Sequence, residues 1–313
     1  MDKDAVKSDI LLLLTAVIWG FAFVAQRVGM DFVGPFTFNG VRFALGSVVL
    51  LPFIAAARPR RPPSSQSAPV KKRTASIAPG AVAGVVLFFG SSLQQMGLVY
   101  TTAGNAGFIT GLYVVMVPII GLIWRHKPGT GTWMGTIIAA WGLYLLSVTE
   151  SLRLAPGDLL VLMSAVMWAI HVLIIGWLSP RQDPLVLACS QFAVCSLLSL
   201  VTAVGIEPIT LDGLRSATIP ILYGGVLSVG LAYTLQVVAQ RNAPPAHAAV
   251  ILSLEGAFAA LGGRLLLAEI LTPRGYAGCA LMLAGMLLSQ LWGSGLFRRN
   301  TDPAPCKTDH LQV

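Results

Sequence analysis

Apolar runs of roughly 20 residues follow one another along almost the whole chain, and no other feature restricts its fold as strongly. A run of that length, wound as a helix, crosses a hydrocarbon core about 30 Å thick. Lipid offers the backbone no hydrogen-bond partners, so each span must satisfy its own peptide groups. The runs fall at 10–28, 36–57, 78–98, 103–124, 131–149, 158–178, 184–204, 218–238, 246–268 and 275–296. Turn chemistry parts them: Gly34-Pro35, Pro128-Gly129, Pro156-Gly157, Asp183-Pro184, Pro244-Pro245 and Thr272-Pro273. The third and fourth runs are divided only by YTTAG. Just 11% of the 313 residues are charged, too few to cover a water-soluble surface of this size. The expected fold is therefore an all-α integral membrane protein with ten transmembrane helices.

The net charge of +8 would suit a nucleic-acid partner only if it gathered on one soluble face. It lies instead in the breaks between runs. One side of the membrane collects fifteen Lys and Arg: those of the N-terminus, of the 58–77 loop (RPRRPPSSQSAPVKKR at its centre) and of the tail, with Arg125, Lys127, Arg181 and Arg241. The other collects four, Arg27, Arg153, Arg215 and Arg274. The positive-inside rule places both termini and the Pro/Ser-rich loop in the cytoplasm, as a multi-pass protein of the cell inner membrane. Ten spans agree, because an even number returns the chain to its starting side. The partner so implied is a lipid bilayer, with no nucleic acid.

Beneath the runs lies a repeat. DILLLLTAVIW at 9–19 matches DLLVLMSAVMW at 158–168 in six of eleven positions, among them Asp9/Asp158 and Trp19/Trp168. The same offset pairs Pro35 with Pro184 and Phe43 with Phe192. An offset of 142 then pairs Gln94 with Gln236, Asn105 with His247 and Tyr113 with Glu255, and one residue more pairs Gly135 with Gly278 and Gly142 with Gly285. Register kept through Asp, Trp, Pro, Gln and Gly is not the accident of two greasy segments. The units run over 1–149 and 150–297, with 298–313 as a cytoplasmic tail. Five spans is an odd number, so the second unit must enter the membrane inverted, and a site between inverted units falls near the midplane.

AVIWGFAFVAQRVG, GPFTFNGVRFALG and GNAGFITGLYVVMVP resemble the first half of the EamA-type drug/metabolite transporters. SLEGAFAALGGRLLLAEILTPRGYAGCALMLAGMLL resembles the end of their second half. The resemblance implies ten helices in two inverted five-helix repeats and a secondary transporter that exports small metabolites such as amino acids. Export of drugs or organic cations is the alternative within the same fold. An intramembrane enzyme or a lipid-handling protein is the alternative outside it, but there is no HExxH, GxSxG or P-loop motif and no Cys/His ligand cluster. No cofactor and no metal are expected.

Polar side chains in hydrocarbon are costly and mark partners or water-filled cavities. Arg42 lies ~9 Å inside its run and is expected to snorkel outward, as is Arg264. Gln26, Asn39, Asn105 and His247 lie near run ends, where interfacial hydrogen bonding is the default. The repeat mates Gln94 and Gln236 either line a cavity or bond neighbouring helices, and His171 reads as a hydrogen-bonded bundle residue. Ala103, Gly107 and Gly111, four apart, let helices approach closely, and Pro118 is expected to kink the fourth span. Glu255 lies ~13–14 Å deep, near the midplane. It either binds an amino group or exchanges a proton, or it is a structural carboxyl. The expected substrate-binding wall comprises Trp19, Gln94, Tyr113, Trp168, Gln236 and Glu255.

Overall fold

The computed structural model describes residues 3–57, 77–124, 128–147, 156–270 and 273–293. The basic loop up to residue 76, Lys127, Arg153 and the 298–313 tail lie outside the described residues. The regular elements are all helices: α1 (Lys3–Gly29), α2 (Pro35–Ala57), α3 (Ile77–Leu98), α4 (Ala103–Gly111), α5 (Tyr113–Ile123), α6 (Thr130–Ser147), α7 (Pro156–Leu178), α8 (Pro184–Ile206), α9 (Leu211–Ser216), α10 (Thr218–Leu222), a π segment (Tyr223–Tyr233), α11 (Thr234–Ala239), α12 (Pro245–Leu252), α13 (Glu255–Leu266) and α14 (Pro273–Gly293). Among the described residues, eight helical stretches are long and apolar enough to cross a membrane, with α4–α5, α10–α11 and α12–α13 each counted as one. The fifth and tenth apolar runs form α6 and α14.

Proline opens α2, α7, α8, α12 and α14. In the first turn its missing N–H is one the helix could not have used, and its fixed φ suits the entry. Asp183 completes one such start, its carboxylate accepting from the amides of Leu185 (3.0 Å) and Val186 (3.1 Å). Thr102 caps α4 by accepting from the Asn105 amide. α1 begins at Lys3, well before the apolar run that predicted it. Hydrogen bonding carries a helix on past the hydrocarbon edge.

The fourth and ninth spans are interrupted. Tight i→i−3 bonds from the Leu112 amide to the Ile109 carbonyl and from the Leu254 amide to the Ile251 carbonyl close one helix before the next begins. The breaks are repeat mates, and α5 and α13 open on the mates Tyr113 and Glu255. Pro118, the expected kink, lies inside α5, and the break comes before it, at Leu112. The matching break has no proline near it, so proline is not its common cause.

The packing repeats the sequence symmetry. α2 lies against its mate α8 and α6 against its mate α14; α4 packs on α13 and α5 on α12, and α3 packs on α7 and α1 on the π segment. Swapping each element for its mate leaves this pattern unchanged, as a pseudo-twofold relation requires. Glycines set the closest approaches. A Cβ on Gly142 would lie 2.6 Å from the Gly278 carbonyl, and one on its mate Gly285 would lie 2.7 Å from the Gly135 carbonyl. Gly107, in the expected small-residue stripe, would bring a Cβ within 2.4 Å of the Ala259 Cβ. Cys189 and Cys195, both on α8, are free thiols.

Candidate functional site

Trp19, Gln94, Tyr113, Trp168, Gln236 and Glu255 all line one cavity, contributed by six different elements. Its volume is about 30 Å³, room for a water molecule or two rather than for a metabolite. A wider recess of about 570 Å³ lies at the end where α1 finishes, between Arg27, Tyr100, Asp158 and Glu269. Another of about 330 Å³ lies at the end where α1 begins, between Lys7, Pro180 and Arg241.

The two tryptophans hold the units together in matching ways. Trp168 Nε1, on the first helix of the second unit, donates to Gln94 Oε1 on the third helix of the first (2.7 Å). Trp19 Nε1, on the first helix of the first unit, donates to the Ser228 carbonyl in the corresponding helix of the second (3.3 Å). That carbonyl belongs to the π segment, where i→i+5 bonding re-aims backbone groups and recurs at functional sites. Gln94 Nε2 then donates to Gln26 Oε1 (3.2 Å). Gln95 turns away from the cavity and donates to the Gln26 carbonyl (3.2 Å). The repeat mate of Gln94 behaves differently: Gln236 Nε2 donates along its own helix to Gln240 Oε1 (2.9 Å), and Gln236 Oε1 has no partner. Lining and helix bonding are therefore both realised, lining by the two glutamines together and bridging between units by Gln94.

Three residues lie elsewhere than their linear depth suggested. Arg42, expected to snorkel, is 2% exposed and lines the cavity. Its guanidinium rests on Phe43 (4.9 Å to the ring centre) and Phe38 (5.5 Å), and its Nε donates to Asn39 Oδ1 (3.0 Å). Gln26 and Asn39, expected at the interface, are buried as well. Depth along a helix ignores which way the side chain points, and α1 and α2 turn these residues inward. Trp19, Phe23 and Gln26 recur at helical spacing on one face of α1, as Asn39, Arg42 and Gly46 do on α2. That period is the signal that finds them. Tyr233 is not part of the expected wall, yet it is the aromatic hub, with ring centres of Trp19, Phe43, Trp168, His171 and Phe192 between 4.5 and 6.2 Å away. Arg264, by contrast, is exposed near the end of α13 as expected.

Several polar atoms of the wall await partners. Tyr113 Oη faces the Glu255 carboxyl without a hydrogen bond of good geometry. Thr110 Oγ1 and His171 Nδ1 are also unpartnered, although His171 Nε2 is bound to Gln191 Oε1 at 2.8 Å. Among the described residues neither Arg42 nor Glu255 forms an ion pair. Arg42, Glu255 and Tyr233 all line the same cavity. The cavity thus presents a guanidinium, a carboxyl group and an aromatic box. No group of three or more His, Cys, Asp or Glu that could hold a metal occurs among the described residues.

Carboxylates tie the units together at the ends. Beyond α8, Glu207 accepts from the Phe36 and Thr37 amides at the start of α2, both at 2.8 Å. Glu269 accepts from Ala103 and Gly104 at the start of α4, both at 3.2 Å. Each supplies negative charge to orphan N–H groups of a helix in the other unit. Asp158 accepts from Thr101 Oγ1 at 2.8 Å at the same end. Its mate Asp9 pairs with His247 Nε2 at 2.9 Å at the opposite end.

A sequence model described as the EamA-like transporter family matches residues 6–148 and again 155–291. An uncharacterized transporter of Archaeoglobus fulgidus is 33% identical over 91% of this chain and 86% of its own length. The threonine/homoserine exporter RhtA of Escherichia coli is 26% identical over 92% of this chain and 90% of its own. A solved crystal structure, 17% identical in sequence, superposes with a TM-score of 0.71 over 93% of this chain and 98% of its own, a likeness of fold.

Proposed function

This chain belongs to the EamA-like transporter family and is a membrane transporter, and from that premise we propose that it is a secondary exporter of small metabolites, amino acids foremost. On this reading ten spans in two inverted five-helix units, 1–149 and 150–297, rock against each other about the central cavity, with both termini in the cytoplasm at the inner membrane. The observation that carries the reading is the convergence of three pairs of repeat mates, Trp19/Trp168, Gln94/Gln236 and Tyr113/Glu255, on one polar cavity lying between two wider recesses. A midplane site at the interface of inverted repeats, beside interrupted helices, is how carriers of this architecture hold a solute. At about 30 Å³ the cavity is too small for an amino acid, so the cycle must include an opening of the wall.

Glu255 is assigned to the solute's amino group or to an exchanging proton, and proton coupling is part of the proposal. Likeness to a threonine/homoserine exporter supports the amino-acid class. A second reading, export of organic cations, draws on the same carboxylate inside an aromatic box. The test is efflux from cells preloaded with labelled L-threonine or L-homoserine, with and without this protein, alongside a labelled lipophilic cation. Faster, saturable loss of an amino acid supports the proposal. Loss of the cation alone selects the second reading, and equal retention of all three solutes refutes the solute classes proposed.

A further inference from the structure

The cavity holds a charge that no ion pair among the described residues balances. A guanidinium stays protonated at any working pH and offers five N–H donors in a planar fork. In Arg42 only Nε has a partner, the neutral Asn39 side chain. The terminal nitrogens donate no hydrogen bond among the described residues, and Phe38 and Phe43 hold the group without supplying an anion. Among the described residues no carboxylate, Glu255 included, forms an ion pair with it. A charge removed from water calls for a compensating partner. An anchor for headgroups would lie at the surface, whereas Arg42 is 2% exposed and faces the cavity.

We infer that Arg42 is the anion receptor of the cavity, engaging a carboxylate of the transported solute through its free terminal nitrogens. The inference rests on the carrier reading above and sharpens it. The solute must bear a carboxylate, and when it also bears an ammonium the carboxylate lies toward Arg42 and the ammonium toward Glu255, both of which line the cavity. Asn39 positions the fork by holding Nε, which leaves the bidentate edge free, the geometry that carboxylates favour. A bare organic cation would meet Arg42 with like charge, so the inference runs against the second reading.

The experiment is counterflow into proteoliposomes holding the full-length protein, with each proteinogenic amino acid and its carboxamide as paired probes and tetraphenylphosphonium as the cationic probe. Wild-type protein is expected to move at least one amino acid and to discriminate against its carboxamide by about tenfold or more, the worth of one charge-assisted hydrogen bond. Arg42→Gln is expected to abolish that discrimination chiefly by losing flux of the acid, and Arg42→Lys, which keeps charge without the fork, to fall between. Equal flux of acid and carboxamide by the wild-type protein overturns the inference and leaves the carrier reading intact, as does flux of the cation alone. Unchanged acid selectivity in Arg42→Gln, eluting as a single species like wild type, also overturns it. No flux of any probe overturns the amino-acid reading and the inference with it. Should Arg42→Gln fail to fold, the paired probes on wild-type protein and on Arg42→Lys still decide the question.

Discussion

Gln94 and Gln236 are equivalent by sequence but not by structure, and Leu at each position separates the two descriptions. Gln94→Leu removes an acceptor from Trp168 Nε1 (2.7 Å) and a donor from Gln26 Oε1 (3.2 Å), both links between helices. Interhelical hydrogen bonds in membranes average ~0.6 kcal/mol with a maximum near ~1.7, and two are lost. Each stranded partner adds toward the cost of a buried unsatisfied group, ~1–3 kcal/mol, unless cavity water reaches it. With space for a water or two beside Trp168, we expect a loss of ~1–3 kcal/mol. Gln236→Leu removes one bond within a single helix and an Oε1 that had no partner, and Gln240 keeps its own bond to the Val172 carbonyl (3.0 Å). The expected change is under ~1 kcal/mol. Reversible unfolding of the purified protein in mixed micelles, titrated with sodium dodecyl sulfate and followed by far-ultraviolet circular dichroism, gives both values. Equal losses, or a larger loss for Gln236→Leu, would refute the asymmetric bridge.

The mated glycines should behave alike: Gly142→Ala and Gly285→Ala each force a Cβ against backbone between α6 and α14, and each should cost ~1–3 kcal/mol in the same titration. Gly129→Ala, with nothing near its Cβ position, is the neutral control. Glu255→Gln should abolish export or remove its pH dependence while leaving protein abundance unchanged; efflux at unaltered rate and pH profile would mark Glu255 as structural. Glu269→Gln weakens a carboxylate cap on the α4 N-terminus and should cost ~0.5–2 kcal/mol, against almost nothing for exposed Asp212→Asn. Single cysteines placed in the 58–77 loop should resist an impermeant maleimide added outside intact cells, and strong labelling would reverse the assigned orientation.

Axial information was legible in the sequence. Hydropathy located the helical stretches, proline and glycine chemistry located their starts, and the repeat located the mates, because each of these depends on distance along the chain. Trp19 and Trp168 were legible as repeat mates, and Glu255 by its depth along the ninth run. Linear depth misplaced Arg42 and Gln26 because it carries no azimuth: Arg42 close to a run end can face headgroups or cavity, and only the packing of α2 against α8 and the π segment turns it inward. The helical spacing of Asn39, Arg42 and Gly46 held that clue unused.

Other features had no signal in local sequence. The break at Leu112 lies where no proline directs it, and its mate at Ser253–Leu254 shows that it follows from the shared architecture. Gln94 bridges two units while Gln236 bonds its own helix because their neighbours differ: Gln26 and Trp168 surround one, Gln240 the other. By itself the sequence determined that this chain enters a membrane, folds as helices and repeats itself, since lipid penalises every exposed peptide group and the apolar period is written residue by residue. The tertiary structure decided which faces meet, and so placed the Arg42 guanidinium and the Glu255 carboxyl on one cavity without an ion pair between them. That outcome depends on the rotation and approach of helices far apart in the chain, fixed by small residues such as Gly20, Gly107 and Gly142 where backbones nearly touch.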